Sequence, residues 1–170
     1  MERRNLIVGA LLVGGGIFVM AAWFWPKSDE ELIAAQLDSL AAAVGFSEPI
    51  ENPLFFGSAL ADRLEPLVTE HVQVDIPEVH GSVPKDRGQL ALASAMALSR
   101  YGSLSVSLSS LNIQLSTTGA QVSALARVIA AEGGQLKSDT RTVDFELVKD
   151  SGNYQVSSVR VGAPKVSADN

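Results

Sequence analysis

Apolar residues recur along this chain with three successive patterns, and each pattern predicts a different kind of element. Residues 6–25 read LIVGALLVGGGIFVMAAWFW, twenty positions without a charge. A helix of that length spans roughly 30 Å, the thickness of a bilayer core. Helical spacing follows. Ile33, Leu37, Leu40 and Val44 lie on one stripe behind Ser28 and Glu31, which form a capping box, and Gly45 and Pro49 end the helix. A second, shorter helix is predicted over 54–67, with Leu60, Leu64 and Leu67 on one face and Pro66 limiting it. Strict alternation then appears in HVQVDI. Val72, Val74 and Ile76 point one way, and His71, Gln73 and Asp75 the other, as in a half-buried strand. PEVHGSVP reads as a loop. Asp86 with Gln89 starts a third helix running to about Arg100, with Leu90, Ala93, Ala97 and Tyr101 on its stripe.

After Gly102 the period is two and stays two. Leu104, Val106 and Leu108 alternate with serines. The parity then slips by one residue near Ser109 and Ser110, so that Leu111, Ile113 and Leu115 take the apolar positions. Such a slip predicts a bulge or a sharp bend. STTG turns the chain, residues 120–131 form a second long strand, and EGG turns it again. Val143, Phe145 and Leu147 mark a third strand, DSGN a third turn, and 154–161 the last strand, with another slip at Ser157 and Ser158. APKVSADN, residues 163–170, reads as a flexible tail. A flat strand of about twelve residues is near 40 Å long. A small domain must therefore curve such a sheet, and three helices are available to fill the concave face. The expected class is α+β: a curved antiparallel meander wrapped around N-terminal helices, preceded by one transmembrane helix.

The junction MAAWFWPKSDEE, residues 20–31, admits two readings. Cleavage after Ala21 or Ala22 would make the apolar stretch a signal peptide. Trp23 and Trp25, however, put indole rings where a headgroup layer would lie, and Pro26 breaks the helix behind them. Arg3 and Arg4 precede the segment, while acidic residues follow Lys27, which orients the N-terminus to the cytoplasm. The expectation is an uncleaved signal-anchor in the inner membrane. Residues 1–5 would be a cytoplasmic stub, 6–25 the membrane helix and 26–162 a periplasmic, extracytoplasmic domain. Ala10 and Gly14 form a small-xxx-small pair that would let a partner helix approach closely.

Composition and charge remove whole classes of function. The chain has no cysteine, which excludes disulfides, a thiol nucleophile and cysteine-ligated zinc. Its net charge is −6 with no basic stripe, a poor match to nucleic acid. Neither a phosphate loop, a dinucleotide fingerprint nor a GxSxG serine is present. His71 and Asp75 share a strand face but stand about 13 Å apart, too far to hold one metal directly. Adding Glu78 and His80 gives a conceivable metal set, with solvated polar residues the better reading. No catalytic residue, metal or cofactor is expected.

The order of elements, with EVHGSVPKDRGQLALA ahead of the third helix and YQVSSVRV closing the meander, resembles the nuclear transport factor 2-like superfamily over residues 28–162. The resemblance implies a cone-shaped fold with a pocket between sheet and helices. It also implies a family of isomerases, dehydratases and epoxide hydrolases beside members that only bind or assemble. Enzymes of that family carry acids, tyrosines or histidines inside the cone. Here the inward positions on the strands, among them Val72, Val122, Ala124, Val128, Val143, Phe145 and Leu147, hold no ionisable group, and Asp75 and Asp144 fall on the outward parity. A pocket for a small apolar ligand would be lined by Tyr101, Val74, Ala124 and Phe145. Leu125 and Ile129, apolar on the outward face, point to a contact surface for a homo-oligomer or other protein partners. One N-terminal helix joined to such a domain also resembles the inner-membrane scaffold subunits of type IV secretion machines. The expected function is a membrane-anchored, non-enzymatic scaffold, with a small-ligand binder or pocket enzyme as the alternative.

Overall fold

The computed structural model describes residues 27–77 and 83–163. The expected membrane segment, with Ala10, Gly14, Trp23 and Trp25, lies outside these residues, as does the tail beyond Ala163. Among the described residues no helix is long and apolar enough to cross a membrane.

Among the described residues three helices precede or interrupt a six-stranded sheet. Helix α1 spans Asp29–Val44 and starts from the expected capping box: the Ser28 hydroxyl accepts from the Glu31 N–H, and the Glu31 carboxylate accepts from the Ser28 N–H. Ile33 and Leu37 are wholly buried on its inner stripe. Helix α2 spans Pro53–Leu64, with Asn52 capping two backbone donors and Pro53 in the first turn, where its missing N–H costs nothing. It stops three residues before the expected end. Pro66 forbids another turn, and Leu67 reaches the core from a turn closed by its N–H on the Leu64 carbonyl.

Strand β1, Val68–Asp75, pairs antiparallel with β2, Val83–Asp86. Residues 77–84, read from sequence as a loop, thus contain the start of a short edge strand. Four residues including Pro84 carry no alternation to detect, and their pairing is imposed by β1. An edge position also tolerates the missing proline donor. Asp86 then caps α3, Arg87–Leu98, by accepting from the Gln89 N–H. The buried stripe of α3 is Ala91 and Ala95, not the expected Ala93 and Ala97, which are exposed. This helix is so uniformly apolar that its periodicity is faint. Its neighbour selects the face: α2 packs so closely that a Cβ on Gly57 would lie 3.2 Å from Leu92 Cα and 3.5 Å from Ala95 Cβ.

The meander follows as β3 (Ser103–Leu115), β4 (Gly119–Glu132), β5 (Gln135–Asp150) and β6 (Asn153–Val161). The sheet order is β2-β1-β6-β5-β4-β3, and β1 runs parallel to β6. The sheet is therefore mixed rather than purely antiparallel, because β1 is reached before the meander and docks beside its last strand. Both expected parity slips are present. Ser109 pairs with Leu125 and Asn112 with Ser123, so Ser110 and Leu111 oppose one residue, with Ser110 at φ 53°. In β6, Ser158 pairs with Glu146 and Val156 with Leu147, leaving Ser157 as the extra residue, its hydroxyl donating to the Glu146 carbonyl. Each bulge returns the apolar residues beyond it to the inner face. The core they enclose includes Leu60, Val72, Val122, Phe145 and Val156.

Two contacts lend themselves to direct tests. A Cβ on Gly119 would sit 1.9 Å from the Leu147 carbonyl oxygen, so Gly119→Ala is expected to cost about 2 kcal/mol in urea unfolding. The Lys149 ammonium donates to both carboxylate oxygens of Asp29, each at 2.9 Å, tying the start of α1 to the end of β5. That contact holds the Asp29 carboxyl below its ordinary range. The same contact raises Lys149, with Tyr154 adding to the effect. The Asp29 contribution is present above the ordinary carboxylate range and is lost as pH falls through the lowered value. That of Lys149 is lost as pH rises through its raised value. Asp29→Asn should flatten the acid limb of a stability–pH profile measured by thermal melting.

Candidate functional site: a cone with an apolar chamber and a polar mouth

The concave face of the sheet is longer than the helices that cover it. Its strand side chains therefore meet two environments in turn. Deep in the cone an apolar chamber of about 260 Å³ is bounded by Leu40 and Val44 of α1, Leu60 of α2, Ser94 of α3, Leu108 of β3, and Phe145 of β5. Ser94 supplies the one polar side chain among the described residues lining it. Leu40, Val44, Leu108, Val159 and Val161 stay half-buried although they pack against the core, because they border space that the protein does not fill.

A second, wider hollow of about 550 Å³ adjoins the chamber. The two share Ala126, Val143 and Val161 as lining. Small residues on β4 create this room: Ala126 and Ala130 stand where larger side chains would close it. The wider hollow is polar on one side, and the polar groups come from β5. Lys137, Asp139 and Arg141 lie on the same parity as Val143, Phe145 and Leu147, so the inner face of one strand changes from charged to apolar along its length. Arg141 donates from Nε to Asp139 Oδ2 at 2.7 Å. Lys137 pairs with Glu132 across the hairpin. This pair lowers the Glu132 carboxyl and raises the Lys137 ammonium, each mainly through the hydrogen bond between them. Tyr101 completes the rim, its hydroxyl accepting from the Arg100 guanidinium at 2.8 Å.

The expected pocket residues separate in the structure. Tyr101 borders the outer hollow and Phe145 the inner chamber. Ala124 is buried, 3% exposed, within packed core, and Val74 is half-buried on β1 beside Val83 and Val159. Leu125 and Ile129 lie half-buried on the convex face. Asp75 and Asp144 are both outside the cone. Asp75 stands 3.6 Å from Arg160, and Asp144 accepts from Ser123. His71 is exposed, and Glu78 and His80 lie outside the described residues. Among the described residues no three acidic, histidine or cysteine side chains cluster to hold a metal.

Sequence reasoning missed Lys137, Asp139 and Arg141. The expected absence of inward ionisable groups holds on β5 from Val143 to Leu147 and fails from Lys137 to Arg141. Counting back in twos from Val143 reaches all three, but the segment QLKSDTRT looks like the polar flank of a turn. In fact β5 is sixteen residues long and carries the core parity straight through it.

This architecture is the nuclear transport factor 2-like, cystatin-like fold. A protein of that description from Novosphingobium aromaticivorans superposes with a TM-score of 0.61 at 12% identity, covering 92% of this chain and 90% of that one. A Streptomyces avermitilis member of the NTF2-like family, provisionally assigned as a dehydratase, gives 0.62 at 12% identity over 84% of this chain and all of that one. The CaMKII hub of S. rosetta gives 0.59 at 16% identity, over 83% and 100%. At these identities the likeness is one of fold. No family model matches the chain. No curated protein matches it either.

The unfilled chamber has a measurable consequence, since apolar cavities stay dry and take up xenon or benzene. Under xenon pressure the methyl resonances of Val143, Val159 and Val161 should shift, while that of exposed Val148 should not. Ala126→Leu should abolish the response and raise stability by about 1 kcal/mol.

Proposed function

We propose that the protein is a membrane-tethered, extracytoplasmic interaction domain that works by assembling with copies of itself or with other proteins rather than by turning over a substrate. One observation carries this reading, and it lies on the convex side of the sheet. Over the half of β3, β4 and β5 nearest the Glu132–Gln135 hairpin the outward residues form a grid of four rows, Ser103–Ala131–Leu136, Ser105–Ile129–Ser138, Ser107–Arg127–Thr140 and Ser109–Leu125–Thr142, and acidic charge returns in the two rows beyond it, at Asp144 and Glu146. Arg127 is the single charge in this grid, although charged residues make up 19% of the chain. Leu136 is 77% exposed. Short hydroxyl side chains lose little rotamer freedom on contact, and depletion of charge at the centre of a patch distinguishes interfaces from ordinary surface. The likeness in fold to a hub domain supports the same reading.

The tether rests on residues 6–25 and the aromatics that close them. Helix α1 starts at Asp29, a few residues beyond Trp25, so a domain on that anchor would be held close to the bilayer. A native mass spectrum of the full-length protein, released gently from its own membrane, tests both parts. A mass retaining residues 1–25 within an assembly supports the reading, and a monomer trimmed after Ala21 or Ala22 overturns it. Ile129→Glu should weaken the assembly by about tenfold or more, equivalent to about 1.4 kcal/mol, without lowering the melting temperature.

A second reading is favoured by a different observation. The unfilled chamber, open toward a polar mouth, suits a small ligand held inside the cone.

A further inference from the structure

Resting on that second reading of the cone, we infer that its ligand is a small neutral molecule, apolar but for one hydrogen-bonding oxygen, and that the Ser94 hydroxyl anchors that oxygen. A serine in a helix ordinarily turns its hydroxyl back onto its own backbone. Ser39 of α1 does so, donating to the Ala35 carbonyl at 2.8 Å, and Ser99, at the end of α3, donates to the Met96 carbonyl at 2.8 Å. Ser94, inside α3, has no hydrogen-bond partner among the described residues. Its oxygen is not sealed in packing either. No enclosed side-chain polar atom among the described residues is left unpaired, so the Ser94 hydroxyl is open to the chamber it lines. Leu90 lines the same chamber from one turn earlier on the same helix face. Serine is a poorer helix former than alanine, and the neighbouring buried positions of α3 are Ala91 and Ala95. Folding alone would favour a third alanine here.

The rest of the wall sets the polarity and size of the occupant. Apart from Ser94 it consists of aliphatic side chains and Phe145, with no ionisable group among the described residues. A charge enclosed there, or a second polar group, would lose its hydration without gaining a partner. An ion, a sugar or a nucleotide is therefore a poor occupant. One hydroxyl or carbonyl oxygen is matched, because a serine hydroxyl both donates and accepts. A cavity of about 150 Å³ holds one benzene. The chamber, at about 260 Å³, holds roughly ten heavy atoms on that scale, the size of a bicyclic compound such as indane rather than a full acyl chain. Apolar walls then supply the affinity, and the single placed hydroxyl supplies the orientation.

The test uses the full-length protein in lipid nanodiscs, with methyl resonances of Val72, Leu90 and Val159 as the site-specific readout and that of exposed Val148 as the control. Indane, 1-indanone, 1-aminoindane and indane-1-carboxylate share one skeleton and carry, in turn, no polar group, a carbonyl oxygen, a cation and an anion. Each is titrated against the natural protein and against Ser94→Ala, so that partition into the lipid cancels in the comparison. Ser94→Ala should weaken 1-indanone about fivefold, the worth of one hydrogen bond, and leave indane unchanged, which also shows that the variant keeps its chamber. The two charged compounds should bind the natural protein about tenfold more weakly than 1-indanone, or weaker still. An equal response of indane and 1-indanone to the substitution overturns Ser94 as the anchor. A charged compound held as tightly as 1-indanone overturns the neutral ligand. Either result leaves the cone as a ligand site. No methyl shift with any of these compounds overturns the ligand site itself, and this inference with it.

Discussion

A β-strand presents its side chains alternately to two faces, and a long strand cannot follow a sharply bent sheet without an extra residue. This constraint organises the domain. The bulge at Ser110 and Leu111 lets β3 keep Leu108, Leu111 and Ile113 inward on both sides of the bend. Ser157 does the same for β6, where Val156 and Val159 both face the core. Without these residues, every apolar side chain beyond the bend would turn to the convex surface. The curvature that the bulges permit encloses the helices, and the helices cover only the deep part of the concavity. The chamber, the mouth and the uncovered convex face all follow from that mismatch of lengths.

The two faces of the sheet divide the functional questions between them. Inside, β4 supplies alanines where bulk would close the cone, and β5 supplies a graded wall from Leu147 to Lys137. Outside, toward the Glu132–Gln135 hairpin, the same strands supply serines, threonines and a few aliphatic residues with Arg127 as the one charge among them. A strand serves both surfaces because its parities are independent. Changes on one face need not disturb the other, so a domain of this kind can assemble through its outside while holding something within.

Much of this was legible in the sequence. The capping box at Ser28 and Glu31, the helix stripe of Ile33 and Leu37, the meander and both parity slips are local patterns, written in residues that neighbour one another along the chain. The features that escaped are set by distant partners. β2 is a strand because β1 lies beside it, and the buried stripe of α3 is chosen by the close approach of Gly57. The parallel pairing of β1 with β6 is likewise a fact of topology that no alternation encodes. The charged mouth escaped for a different reason. Lys137, Asp139 and Arg141 obey the period-two rule, but polar residues on the inward parity are indistinguishable from a hydrated turn until the length of β5 is known.

That parallel pairing also bears on how the domain comes into being. Val68 opens the first strand, and its partner Val156 lies in the last. A chain emerging from its N-terminus therefore holds α1, α2 and β1 without their sheet until nearly the whole sequence is out. Contacts of such long range close slowly, because the loop entropy is lost before any contact energy is gained. In that interval Leu37, Leu60 and Val72 have only part of their final surroundings, from α3, β2 and the earlier meander strands, to bury against. For this fold the final strand acts as a latch, and a nascent chain stopped anywhere before it is an adhesive intermediate rather than a smaller domain.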